Sequence, residues 1–216
     1  MKTIPMIFNS DMVKAIVNGR KTVTRRPMKQ QPPEWCKRFG YTTFTPERHI
    51  SGRGSYEDKG PAEKFFKQPF FKDDLIYVRE TWADAGANAP ELTLYKANYP
   101  EHVPAHYENV PSLSDIKWTP SIHMPRWASR LTLKVTDVRI EKISQITEEQ
   151  AIKEGMMTAT EAEQAAIKAG IGWYEKPYIQ FKNLWERIYG EWSCYVWVIE
   201  FEVIHLNVDT YLKQAA

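Results

Sequence analysis

The sequence predicts an α+β fold: a mixed, partly closed sheet with flanking short helices and two long loop insertions. Three observations carry that expectation. Strand-like alternation recurs at 73–82, 130–143 and 195–204. Short helical stripes with capping residues lie at 10–19, 147–155 and 160–170, and a further one starts at Pro177. The stretches 28–70 and 83–120 hold no sustained period. Strands separated by unequal helical excursions suit such a sheet better than a doubly wound one.

The first helix spans 10–19. Ser10 or Asp11 is a plausible N-cap, and Met12, Val13, Ile16 and Val17 form its apolar stripe. Gly19 stands where a left-handed residue ends a helix. A basic run follows, Arg20-Lys21-Thr22-Val23-Thr24-Arg25-Arg26, and Pro27 closes it. Along the 73–82 strand, Ile76, Val78, Glu80 and Trp82 share one face. A carboxylate in line with those apolar groups needs a partner if it is buried. A short strand or hairpin is expected near Leu92–Tyr95, inside the proline-broken 83–120 stretch.

From 130 to 143 the apolar parity switches between Leu131/Leu133/Val135 and Val138/Ile140, which implies a bulge near Thr136–Asp137 if the strand is continuous. Thr147 and Gln150 form a capping box, with Ile146 placed to staple onto Ala151, and Gly155 ends that helix. Thr160-x-x-Glu163 opens the next helix, which Gly170 closes. Pro177 opens another, with Tyr178, Phe181, Leu184, Trp185 and Ile188 on one face. Tyr195–Ile204 is the last strand, and 207–216 reads as a frayed tail. The domain expectation is a single unit over 1–206, with insertions at about 28–70 and 83–120.

Composition limits the function classes. Of 216 residues, 43% are hydrophobic and 26% charged, an ordinary globular balance. Two cysteines cannot build a disulfide framework or a four-thiolate zinc site. No apolar run approaches the roughly 20 residues of a membrane span. The first residues lack the apolar core of a secretory signal, so a cytoplasmic setting is expected. The net charge is only +2, but it is unevenly spread. Between Arg20 and Arg48 stand eight basic residues and two acidic ones; 83–120 is net acidic. Clustered positive charge draws an anionic ligand even when the total is small.

Four constellations could carry chemistry. In Lys21-x-x-Thr24 an amine lies near a hydroxyl, and a discharged lysine can act as base to a nucleophile. Arg20, Arg25 and Arg26 disfavour the ammonium by like charge. A regular strand puts positions 21 and 24 on opposite faces, so the two cooperate only if the chain turns between them. The alternative is a basic patch that simply holds phosphate or carboxylate. Glu154 lies at the end of a short helix, where the negative dipole end raises a carboxyl pKa and suits a proton donor. It could equally be an ordinary exposed helix-end carboxylate.

Glu80 could grip a donor on a ligand, or form an ion pair with an arginine such as Arg25 or Arg130. Arg126, Trp127 and Arg130 suit a planar ligand such as a nucleobase, or else form a strand-entry loop around a core tryptophan. His102-x-x-x-His106 has metal spacing only on a helix, and Pro104 interrupts it. There is no P-loop, dinucleotide fingerprint or zinc-protease motif, so no metal and no cofactor are expected.

Taken together, these segments resemble the ASCH superfamily, which is related in fold to PUA domains. The matching pieces are 19–26, 74–82, Met124-Pro125-Arg126-Trp127-Ala128-Ser129-Arg130-Leu131, Ile146 to Gly155, and 197–201. The chain is most similar to the longer members found in phages and prophages. The resemblance implies a PUA-like β-barrel with flanking helices and a cleft. Small bacterial members are amidohydrolases that remove the acetyl group of N4-acetylcytidine, using a Lys-x-x-Thr motif and a helix-end Glu. By that resemblance Lys21 is the proton acceptor, Thr24 the nucleophile and Glu154 the proton donor. Arg25, Arg26, Glu80, Arg126, Trp127 and Arg130 would then bind substrate. The expected partner is a nucleoside-like small molecule, or single-stranded RNA if the chain is a binding module without catalysis or a ribonuclease.

Overall fold

The computed structural model describes residues 1–56, 60–86 and 89–215. Among them are ten strands and five α-helices. In chain order these are β1 (Thr3–Ile7), α1 (Ser10–Val17), β2 (Val23–Pro27), β3 (Cys36–Gly40), β4 (His49–Tyr56), β5 (Gly60–Lys67), β6 (Leu75–Arg79), β7 (Trp82–Asp84), β8 (Thr93–Tyr95), β9 (Thr132–Lys142), α2 (Glu148–Lys153), α3 (Ala159–Lys168), α4 (Pro177–Tyr189), β10 (Tyr195–Ile204) and α5 (Val208–Gln214). The fold class is α+β, and no closed barrel forms among the described residues. No helix among them is long and apolar enough to cross a membrane. Contacts divide the chain into two compact units. One holds Met1–Arg20, Asp74–Lys134 and the chain from Glu202 on; the other holds Lys21–Asp73 and Val135–Phe201.

In the first unit β1 runs parallel to β6, Thr3 facing Leu75 through Ile7 facing Arg79. Antiparallel to β6 lies the start of β9, Leu75 facing Lys134. Helix α1 begins at Ser10, as the sequence suggested, but its cap is Asn9 rather than Ser10 or Asp11, Asn9 Oδ1 accepting from Met12 N at 2.8 Å. Such a cap contributes about 1 kcal/mol. Val13 and Ile16 are fully buried on its inner stripe. Gly19 takes φ +72° and lets the chain turn back, Arg20 N reaching Ala15 O.

The 83–120 stretch contains the expected hairpin, β7 pairing with β8 from Trp82–Tyr95 to Asp84–Thr93. The expected frayed tail is instead α5, capped by Asn207, with Val208 fully buried. Asn207 also donates to the carbonyls of Arg126, Trp127 and Ser129, which is why the segment is held.

In the second unit the strand order is β9, β10, β2. Strand β2 runs antiparallel to β10, with Val23 facing Glu200, Thr24 facing Ile199, Arg25 facing Val198 and Arg26 facing Trp197. Val23, Val196 and Val198 pack with Ile143, Ile146, Ala151, Phe181, Trp185 and Cys194 in one core. A fully buried Val, Ile or Phe among them contributes about 1.5–3 kcal/mol.

Helix α2 has the expected capping box on both sides, Gln150 N to Thr147 and Thr147 N to Gln150. Helix α3 starts two residues ahead of expectation because Thr158 and Glu161 make the capping box. Residues 36–67, without a clear period, form an antiparallel meander β3–β4–β5. Strand β9 is continuous; its burial parity changes between Val135 and Val138, in step with the sequence.

Candidate active site

Three elements of the second unit deliver charged side chains to one buried place. Lys21 follows the α1 reversal, Arg25 sits in β2, and Glu154 caps α2. Thr22 N donates to Lys153 O at 2.9 Å and Thr22 O accepts from Phe201 N at 3.0 Å, so position 21 is fixed between α2 and β10. Lys21 is wholly buried, and Arg25 and Glu154 are each 3% exposed. Lys21 Nζ donates to Glu154 Oε2 at 2.6 Å and to the Glu154 carbonyl at 2.9 Å. Arg25 Nη1 donates to Glu154 Oε1 at 3.1 Å, and its Nη2 to Glu141 Oε2 at 3.0 Å.

Glu141 in turn accepts from Arg139 Nε at 2.7 Å, and Arg139 Nη1 also reaches Glu200 and Asp137. Cations and carboxylates thus alternate along a chain that runs inward from part-exposed Arg139 and Glu141 to wholly buried Lys21. Arg25 Nε, also buried, has no hydrogen-bond partner among the described residues.

Desolvation pulls the Lys21 amine below the usual lysine range. The Glu154 carboxylate works against that, and Arg26 and Arg25 work with it. A neutral amine has two N–H bonds, and the two contacts to Glu154 use both. Its lone pair then points elsewhere, available to take a proton. Glu141 lies below the usual carboxylate range: desolvation raises it, but Arg139 and Arg25 together outweigh that.

Thr24 is placed differently. The chain is extended from Thr22 through β2, and no turn separates positions 21 and 24. Alternation therefore puts Thr24, 2% exposed, on the face of Ile199 and Arg26, opposite Val23 and Arg25. Among the described residues no hydrogen bond joins Thr24 to Lys21 or Glu154. Arg26 Nη1 donates to Tyr189 Oη at 3.2 Å.

The other expected site residues belong to the first unit. Glu80 is 1% exposed and is held as a fork by Arg130, Nε to Oε1 at 2.9 Å and Nη2 to Oε2 at 3.0 Å. Of its two readings, the structure shows the ion pair. Desolvation raises the Glu80 carboxyl above its usual range, and Arg130 opposes that. The Arg130 guanidinium also stacks 4.0 Å from the Tyr95 ring centre.

Arg126 is engaged by Asp209 of α5, with Nη2 to Oδ1 at 2.7 Å. Trp127 is no core residue: it is 63% exposed and meets Trp82 edge-on at 5.5 Å. His102 serves structure, Nε2 accepting from Tyr95 N at 3.0 Å. Among the described residues no three His, Cys, Asp or Glu side chains gather as a metal site.

Sequence reading missed Glu141, Arg139, Glu200 and Asp209. The signal for the strand residues was the placement of acids among apolar neighbours on β9 and β10, Glu141 within reach of Arg25 and Arg139, and Glu200 within reach of Arg139. It could not be used without the register.

No protein-family model matches this chain, no curated protein matches it, and no solved structure matches it.

Proposed function

We propose that this protein hydrolyses a small amide, an N4-acylated cytosine nucleoside or a near analogue, at a centre built on Lys21 and Glu154. Kinship with the ASCH superfamily and the PUA-like folds belongs to the same proposal. The observation that carries it is the 2.6 Å contact between a fully buried lysine amine and a buried carboxylate. Loss of a proton from Lys21 leaves a neutral amine whose two N–H bonds are held by Glu154. Burial of Lys21 favours that loss, and the product is a base fixed in place by a carboxylate.

In the proposed reaction water attacks the acyl carbon and its proton passes to the Lys21 amine, since Thr24 lies on the other face of β2. The C–N bond breaks, and the leaving amino group of the base takes that proton from the Lys21–Glu154 pair as the carboxylic acid departs. The sum is amide plus water giving amine plus acid. A second reading, carried by the Lys21-x-x-Thr24 spacing, has the Thr24 hydroxyl as nucleophile and water cleaving the acyl-threonine; it requires Thr24 to reach the Lys21 face.

The test is release of cytidine from N4-acetylcytidine. Turnover by the native chain, lowered at least ~100-fold in Lys21→Ala, is expected, since general base catalysis contributes about 10²–10⁴-fold. Loss of turnover in Thr24→Ala with retention in Thr24→Ser assigns the nucleophile to Thr24; retention in both assigns it to water. No cytidine release by the folded native chain overturns the proposal.

A further inference from the structure

We infer that a groove on the Arg26 face of β2 is a binding site for a nucleobase carrying a phosphate. The groove encloses about 480 Å³, and its lining includes Arg26, Lys29, Lys67, Phe66, Phe70 and Trp197 and no acidic side chain. That volume lies in the range of small-molecule sites, about 300–1,000 Å³. Phe66, Phe70 and Trp197 are nearly buried and form apolar walls, while Lys29 and Lys67 are exposed at the rim. Lys29 and Lys67 stand at the rim with no acidic side chain in the lining, so the cleft is positive and concentrates a phosphate. Aromatic walls beside cations accept the face of any base.

The groove is built, not a chance dent. Gln31 fastens one lip: its Nε2 donates to Met28 O at 2.8 Å and Tyr195 O at 3.1 Å, and its Oε1 accepts from Tyr195 N at 2.7 Å. Met28 N adds a bond to Tyr195 O at 3.1 Å. Behind the wall, Phe39 packs edge-on against Phe66 at 6.1 Å and Tyr195 at 5.4 Å. Preformed walls spare the ligand the cost of ordering them.

Register adds a chemical reason. Arg26 faces Trp197 and Thr24 faces Ile199, so the groove lies on the sheet face that carries Thr24. The ligand chemistry goes beyond the hydrolase reading and stands without it, because binding of an unacylated nucleotide needs no turnover. A base with an adjacent phosphate could come as a free nucleotide or as part of a single strand.

The experiment is calorimetric titration of the native chain at low salt with cytidine, cytidine 5′-monophosphate and a cytidine hexaribonucleotide. The monophosphate is expected to bind at least ~10-fold more tightly than cytidine, about 1.4 kcal/mol. Replacing both rim lysines (Lys29→Ala with Lys67→Ala) should bring the monophosphate down to the level of cytidine, and Lys→Arg at both positions should preserve the difference. A hexamer that binds more tightly than the monophosphate, with a steeper salt dependence, identifies a strand as the source. A hexamer no tighter identifies the free nucleotide. Equal binding of cytidine and its monophosphate, no binding of either, or an unchanged preference in the double alanine variant overturns the inference.

Discussion

The Nζ of Lys21 lies 2.6 Å from Oε2 of Glu154, a residue 133 positions further along the chain, and both are shut off from solvent. Taking two charges out of water is costly, and their attraction repays that only when geometry and extra hydrogen bonds are good. Here Glu154 receives three donated bonds, two from Lys21 and one from Arg25. The two cations are not equivalent. Arg25 keeps its charge at any ordinary pH, whereas Lys21 can lose its proton, so the carboxylate keeps a permanent counter-ion beside a removable one.

That asymmetry predicts unequal stability losses. Glu154→Gln leaves Lys21 facing no carboxylate and Arg25 only that of Glu141, and should cost about 3–5 kcal/mol, as breaking buried pairs does. Lys21→Met leaves the Arg25–Glu154 pair intact and should cost clearly less. Urea unfolding of the two variants measures the order; equal losses contradict the asymmetry.

The order of stability with pH follows from the Lys21 shift. Its folded pKa lies below the ordinary 10.5, with desolvation as the main cause. Between the folded and unfolded ionisations the unfolded chain binds the proton that the folded chain has released. Stability from this group therefore rises with pH in that window and levels off above 10.5. The native chain should gain on Lys21→Met as pH is raised towards that value. The kcat/KM for amide hydrolysis should rise with pH through the same folded ionisation. A flat stability difference, together with a rate profile lacking that limb, argues against a discharged amine.

Much of this geometry was legible beforehand, for local reasons. The Thr147–Gln150 capping box fixes where α2 begins, and hence that Glu154 ends it. Gly19 marks the reversal that brings Lys21 to its place. These signals act over three or four residues. Arg130 could be named only as one of two partners for Glu80, because pairing β6 with β9 depends on register across 50 residues. The meander β3–β4–β5 escaped for a related reason. Its buried side is made of Cys36, Ile50 and Phe66 set around Gly52, so a small residue occupies a core position and alternation disappears. Strand β10 was legible to both ends, Tyr195–Ile204, although Val196, Trp197, Val198 and Ile199 are all buried, on both faces.

Glu80 and Arg130 yield a second pH prediction of opposite sign. Arg130→Ala strands a carboxylate that is 1% exposed and should cost about 3 kcal/mol, the lower part of the buried-pair range, since Arg130 is itself 20% exposed. The folded Glu80 pKa is already raised, chiefly by desolvation, and loss of Arg130 raises it further. The folded chain then holds a proton that the unfolded chain has given up, so stability falls as pH rises above the ordinary carboxylate value. The variant should recover stability relative to the native chain on acidification towards that value, in unfolding curves taken at a series of pH values. Glu80→Gln in the same background removes the pH dependence if Glu80 is its source.

The closest backbone approach in the meander predicts which glycine is indispensable. A Cβ on Gly54 would lie 1.6 Å from the carbonyl oxygen of Trp35, and one on Gly52 would lie 2.3 Å from Cys36 Sγ and 2.7 Å from a Phe66 ring carbon. Neither position has a positive φ, so the obstacle is space alone. At Gly52 a sulfur and a ring can rotate slightly. At Gly54 the obstacle is backbone that cannot turn away, so β4 must separate from the chain just before β3. Overpacking of this kind costs about 1–3 kcal/mol and sometimes more. Gly54→Ala should sit at or beyond the top of that range, with Gly52→Ala below it. Gly40→Ala, whose Cβ meets only Arg53 Nη2 at 3.8 Å, should change stability by about 0.5 kcal/mol or less. Urea midpoints for the three variants give the ranking, and a Gly54→Ala chain as stable as Gly40→Ala contradicts the packing described for β3 and β4.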